Sequence, residues 1–164
     1  MIDTYSNSDI KEQKGYKNKE CIILTHLGLG DHIYHCGMIR YLATKYDKLL
    51  IVCLKSNLEN LKMVFSDILN MILFVTVDDY ESNHHYDQIA SIKATSQKNN
   101  IDEYFTGSYR RDKQDFVADY PFSWYEAVNI ERSVFWEYTY IPPLLKSEEI
   151  YNYIKNQDYA FIHN

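Results

Sequence analysis

A carboxylate on a glycine loop is the first group in this chain whose type and setting suit chemistry. His26-Leu-Gly28-Leu-Gly30-Asp31 follows a short apolar run that starts at Cys21, and a helical pattern runs on from it. Gly28 and Gly30 permit close backbone approach or a positive φ. The helix start presents unpaired N–H groups and a partial positive charge, which favours an anion. Two chemistries fit. The loop could hold a pyrophosphate, as in dinucleotide binders. Alternatively, Asp31 could act as a general base, drawing the proton from an acceptor hydroxyl that is otherwise a poor nucleophile. The dinucleotide fingerprint G-x-G-x-x-G is incomplete, because Ile33 stands at its third glycine. Asp31 also sets a negative charge against a pyrophosphate. Lys55-Ser56 follow the second apolar run, where an acid for the ribose is expected. The base reading competes with a structural one, since Asp caps helices well, an effect of about 1 kcal/mol. Residue type and position alone favour the cap.

Other candidate groups are weaker. His32 and His35 lie three apart and share a helix face. One of them could orient an acceptor or bind its phosphate, but the spacing favours a solvated face. Lys55, Ser56 and Asn57 could meet a ligand at the same sheet edge, or Ser56 or Asn57 could cap the next helix. Arg110-Arg111 could grip an anionic group bidentately, or join a solvated ion-pair network with Asp112 and Asp115. His84-His85 after Asp78-Asp79 invites a metal reading, but adjacent histidines rarely converge on one ion; a polar loop is expected. Trp124, Tyr125, Phe135 and Trp136 could stack on sugar rings, though such spacing favours core. Cys21, Cys36 and Cys53 form no CxxC pair and sit in or beside apolar runs, so they read as buried hydrophobes. Nothing matches GxxxxGK[ST], and no nucleophile–base spacing can be read.

The elements that must position these groups follow from hydrophobic period. Continuous apolar runs at Cys21–His26, Leu49–Leu54 and Met71–Val77 read as strands buried on both faces. Helical patterns run from Asp31 to Tyr46 and over Asn57–Phe65, with Leu58, Leu61, Val64 and Phe65 inward. Tyr86–Lys98 reads as a helix and Ile101–Thr106 as a fourth strand. Strands joined by helical crossovers imply a parallel sheet covered on both faces. The expectation is an α/β domain: three-layer, Rossmann-like, with a mainly parallel sheet of about five or six strands. It spans residues 20–164, behind a flexible polar tail at 1–19. An aromatic-rich segment from Asp119 to Tyr140 is expected to pack over the sheet. A helix over Leu144–Asn156 and a strand opening at Tyr159–His163 close the pattern. A chain ending as a strand begins reads as cut short.

Composition narrows the function classes. The chain has 164 residues, room for one core but not for two α/β domains. Hydrophobic residues at 46% and 16 tyrosines exclude a disordered chain. A net charge of −6 argues against nucleic acid as partner. No apolar run is long enough to span a bilayer, and the polar start is no signal peptide. Three cysteines without a framework fit a cytoplasmic, reducing setting.

His26-Leu-Gly-Leu-Gly-Asp31-His-Ile, followed by Gly37-Met-Ile-Arg40-Tyr-Leu-Ala-Thr-Lys-Tyr46, resembles the opening of heptosyltransferase-like glycosyltransferases of the GT-B fold. Pro121-Phe-Ser-Trp-Tyr125, Tyr140-Ile-Pro-Pro143 and Tyr159-Ala-Phe-Ile-His163 are similar to the end of the N-terminal domain in that family. The resemblance implies an acceptor-side domain, with Asp31 aligned to the proposed base. It implies direct displacement with inversion, through an oxocarbenium-like transition state. No cofactor is implied beyond a nucleotide-sugar donor, held by a second domain for which this chain has no room. The implied partners are therefore a sugar or glycan acceptor and a second polypeptide carrying the donor site. A split or residual domain that binds a partner chain is the non-catalytic alternative, marked by an exposed apolar patch. A nucleotide-binding module is the third.

Overall fold

Runs rich in Ile, Leu and Val have nowhere to hide their side chains except between two layers; three such runs and a more polar fourth strand, Asp102-Glu-Tyr-Phe105, form the sheet. In the computed structural model, which describes residues 19–80, 84–109 and 122–143, the strands are β1 (Glu20–Leu24), β2 (Lys48–Leu54), β3 (Ile72–Val77) and β4 (Asp102–Phe105). All pair in parallel, in the order β3-β2-β1-β4. Ile22 lies beside Leu50 on one side and Glu103 on the other, and Leu50 beside Leu73. Six α-helices are interleaved among the described residues: α1 (Leu29–Tyr34), α2 (Cys36–Ala43), α3 (Leu58–Val64), α4 (His85–Lys98), α5 (Phe122–Glu126) and α6 (Ser133–Tyr138). The result is a Rossmann-like α/β domain. The described residues hold four strands. The further strand expected at Tyr159–His163, the helix at Leu144–Asn156 and the tail to residue 18 lie outside them.

Alternate residues along a strand face opposite sides, and the core divides accordingly. Cys21, Ile23, Leu49, Ile51 and Cys53 meet Met38, Ile39, Leu42, Leu61, Phe65, Tyr125 and Val134 on one face. Ile22, Leu24, Val52, Leu54, Val77 and Phe105 meet Ile89 and Ile92 of α4 on the other. β1 and β2 are central and almost wholly buried. β3 departs from the expected buried strand: it lies at the edge of the sheet that the described residues form, and Leu73 and Thr76 are exposed.

The helix expected from Asp31 to Tyr46 is broken at His35, whose φ of −88° and ψ of 2° leave the helical region. The imidazole turns back to the Asp31 carbonyl, 2.6 Å away, and shares it with the His35 backbone N–H. The Tyr125 hydroxyl spans the break, accepting from the Met38 N–H at 3.1 Å and donating to the Tyr34 carbonyl at 2.9 Å. It thus satisfies main-chain groups that the interruption would orphan. Trp124 and Tyr125 are core, as expected, whereas Trp136 at 72% exposure is not. All three cysteines are free and buried. Burial pushes Cys21 up to about 12 and Cys53 up to about 11, which removes them as nucleophiles at neutral pH.

Candidate functional site

In an open parallel sheet, the strand order reverses beside β1, and ligands bind beyond the carboxyl ends of the strands there. Here that point lies between β1 and β4. Gly28, extended at φ −64° and ψ 149°, precedes the first turn of α1. Asp31 sits within that turn, half-buried. The capping expectation is corrected: Gly28 holds the cap position, and no side chain bonds there. The Asp31 carboxylate instead folds over Gly28, where an added Cβ would lie 2.6 Å from Oδ2. Neither Gly28 nor Gly30 uses a positive φ, and a Cβ at Gly30 would meet open space. The glycine that does use a positive φ at this edge is Gly107, after β4, at φ +59°. A Cβ there would come within 1.9 Å of the His26 ring.

The solvated face expected for His32 and His35 is also corrected, since both are fully buried. α1 lies against the sheet, so the face they share points inward. His32 Nδ1 is 2.9 Å from the Gly28 carbonyl oxygen, and Nε2 is 3.1 Å from that of Val52. Burial lowers its pKa. His35 donates through Nδ1 to Asp31, so its Nε2 accepts the Thr106 hydroxyl at 3.1 Å. Burial pulls this ring down to about 3. Trp124 stacks on both His35 and His26, at 4.7 and 5.2 Å between ring centroids. The two buried imidazoles fix the loop that carries Asp31, with their ring nitrogens turned to protein atoms.

Lys55 is exposed and pairs with Asp78. Ser56 bonds to Asp79 at 2.5 Å, and Asn57 donates to the Leu27 carbonyl at 2.9 Å. Neither caps α3 through its side chain; both tie the turn after β2 to the neighbouring strand ends. His85 is buried rather than part of a polar loop, and its Nδ1 donates to the Asp78 carbonyl at 2.8 Å. No cluster among the described residues could hold a metal ion. Arg110 and Arg111 lie outside the described residues.

A cavity of about 540 Å³ opens at this edge, lined by His26, Tyr80, Tyr86, Ile89, Ala90, Lys93 and Tyr109. The Tyr80 hydroxyl bonds to the Leu27 N–H and to the Tyr109 hydroxyl, and the charge of Asp31 reaches it. Burial raises Tyr80 above its ordinary 10 and pushes Tyr109 up to about 12, so both stay protonated. Sequence reasoning passed over most of this lining. A signal was present: Tyr86, Ile89, Ala90 and Lys93 recur at helical spacing on one face of α4.

Fold and edge together define a Rossmann-like α/β domain with a glycine loop, a carboxylate and a tyrosine-lined cavity at the sheet's switch point. No protein-family model, no curated protein and no solved structure matches the chain. No helix among the described residues is long and apolar enough to cross a membrane.

Proposed function

We propose that this chain is the acceptor-side domain in the transfer of a sugar from a nucleotide-sugar to an acceptor hydroxyl. Asp31 is the base. The observation that carries the reading is the placement of its carboxylate beyond the end of β1, in the first turn of α1, folded over Gly28 at the sheet's carboxyl edge. The acceptor oxygen attacks the anomeric carbon, the bond to the leaving nucleoside diphosphate breaks, and the acceptor's proton passes to Asp31. Lys55 stands at the same edge. The donor is held by a second polypeptide or domain, because the described residues form one Rossmann-like unit and the resemblance is to a two-domain enzyme. The reaction belongs to the cytoplasm, where three buried free thiols are at home.

The test is a transfer screen with a panel of nucleotide-sugars, on wild type and Asp31→Asn, alone and with polypeptides the chain retains from its native extract. We expect turnover only with a second polypeptide, lowered about a hundredfold to ten-thousandfold in the variant. Turnover indifferent to Asp31 would remove the base. Turnover by the chain alone would show the domain to be complete.

One observation favours the non-catalytic reading. Met63 and Ile141 are exposed beside an apolar groove of about 160 Å³ that also includes Leu29, Val64 and Pro142. A partner-binding domain would retain a polypeptide and give no turnover in any mixture. A nucleotide-binding module ranks third, because the Asp31 carboxylate lies over Gly28, where a pyrophosphate would approach.

A further inference from the structure

The loop that carries Asp31 is tied to the end of β4 through one buried ring. His35 and Thr106 are both fully buried, and seventy-one residues separate them in the chain. The two ring nitrogens face different chemistry. Nδ1 lies 2.6 Å from the Asp31 carbonyl oxygen, which only accepts, so Nδ1 carries the proton. Burial pulls the ring down to about 3, so at neutral pH it is uncharged and Nε2 is bare. A bare ring nitrogen in the core needs a donor. The Thr106 hydroxyl supplies it, at 3.1 Å. Thr106 is itself anchored, because its N–H donates to the Leu24 carbonyl at the end of β1, at 2.9 Å. The indole of Trp124 and the ring of Tyr125 lie nearly parallel to the imidazole, at 14° and 8°, and hold its plane. The Asp31 carbonyl that the ring grips also takes the His35 N–H. It belongs to the turn whose carboxylate folds over Gly28.

We infer that Thr106 is a positioning residue: its hydroxyl holds the His35 ring against the Asp31 carbonyl, and so holds the Asp31 carboxylate in place. Without the hydroxyl, Nε2 is a buried acceptor with no donor, and the ring finds one only by opening to water. The ring then leaves the Asp31 carbonyl, and the first turn of α1 loses its tie to β4. The inference rests on the reading above only in making Asp31 the base; the hold on the loop needs no substrate.

The experiment is NMR on the full 164-residue chain, reading imidazole nitrogens, side-chain carboxyl carbons and amide exchange. In wild type we expect His35 as the single Nδ1–H tautomer at neutral pH. Thr106→Val keeps the shape and loses the hydroxyl. It should shift the Asp31 carboxyl carbon and the His35 Nε2 signal, and move the protonation of His35 from about 3 towards its ordinary 6.5. Exchange of the His35 amide should quicken by about tenfold to a hundredfold, ahead of the amides of β2. Thr106→Ser restores the hydroxyl and should return each signal to its wild-type place. Ser96→Ala removes a different buried hydroxyl, on the opposite face of the sheet, and should leave His35 and Asp31 unmoved. If Thr106→Val does not fold, Thr106→Ala carries the same comparison. Four results would overturn the role: an Nε2–H tautomer in wild type, a hydroxyl-free variant with His35 and Asp31 unchanged, no rescue by Thr106→Ser, or Ser96→Ala matching Thr106→Val. Where transfer is found, Thr106→Val should lower kcat about tenfold and leave KM within about twofold. A held loop without Asp31-dependent transfer would keep the tie and remove the base; Asp31-dependent transfer indifferent to Thr106→Val would keep the base and remove the positioning role.

Discussion

The two faces of the sheet are built to different standards. On the face covered by α1–α3, α5 and α6, six of the eight residues of α2 are buried, and Gly37 lets α6 approach closely: a Cβ there would lie 2.8 Å from the Val134 carbonyl oxygen. On the other face α4 buries His85, Ile89 and Ser96 out of its fourteen residues. Two cavities open along it, the 540 Å³ one at the carboxyl edge and another of about 170 Å³ among Ile22, Leu50, Val75, Ile92 and Ile101. Close packing resists change of shape, so the dense face holds the Asp31 loop in place. The sparse face leaves room for a ligand. Regions of low packing are also where proteins open most readily.

From this contrast, acid should act first through the dense face. Below its ordinary 6.5, unfolded His35 takes up a proton that the folded ring refuses until about pH 3. Unfolding therefore binds a proton across this window, and stability falls as pH falls through it, by up to about 1.4 kcal/mol per pH unit. Buried His32 acts in the same direction. Denaturant titrations from pH 7 to pH 4 should show the slope, and His35→Gln should flatten it by about one proton.

Truncation compares the faces directly. Phe65→Ala, on the dense side, should cost about 3–5 kcal/mol, and Ile92→Ala, on the sparse side, about 1 kcal/mol or less. Equal costs by urea unfolding would dissolve the comparison. Gly107→Ala strains the seam between β4 and β1. Its positive φ and the clash with His26 should cost about 1–3 kcal/mol and disturb the emission of Trp124, on which His26 stacks. The smallest effect has the opposite sign. Ser91→Leu should help fill the 170 Å³ cavity and raise helix propensity, stabilising by about 0.5–1 kcal/mol. A loss instead would mean that α4 is already close-packed.

The cysteines, the strand order along the chain and the Asp31 loop after β1 were legible because each is written in neighbouring residues. A run of Leu-Ile-Val-Cys-Leu buries itself as a strand whatever lies elsewhere. The cavity was less legible. Its α4 face carried a helical spacing, but Tyr80 and Tyr109 reach it from other strand ends. The histidines misled because i, i+3 spacing says which residues share a face, not which way that face points.

By itself the sequence determined an alternating β-α domain with a parallel sheet, a glycine–aspartate loop at its carboxyl edge and thiols hidden in the core. Apolar period and crossover connection are local facts. Tertiary structure alone decided that β3 is an edge, that His35 is buried against Thr106 seventy-one residues away, that Gly107 must yield space to His26, and that Tyr80, Tyr86, Lys93 and Tyr109 enclose one cavity. The physical reason is the same in each case. Burial and desolvation belong to pairs of surfaces, and the second surface comes from a distant part of the chain.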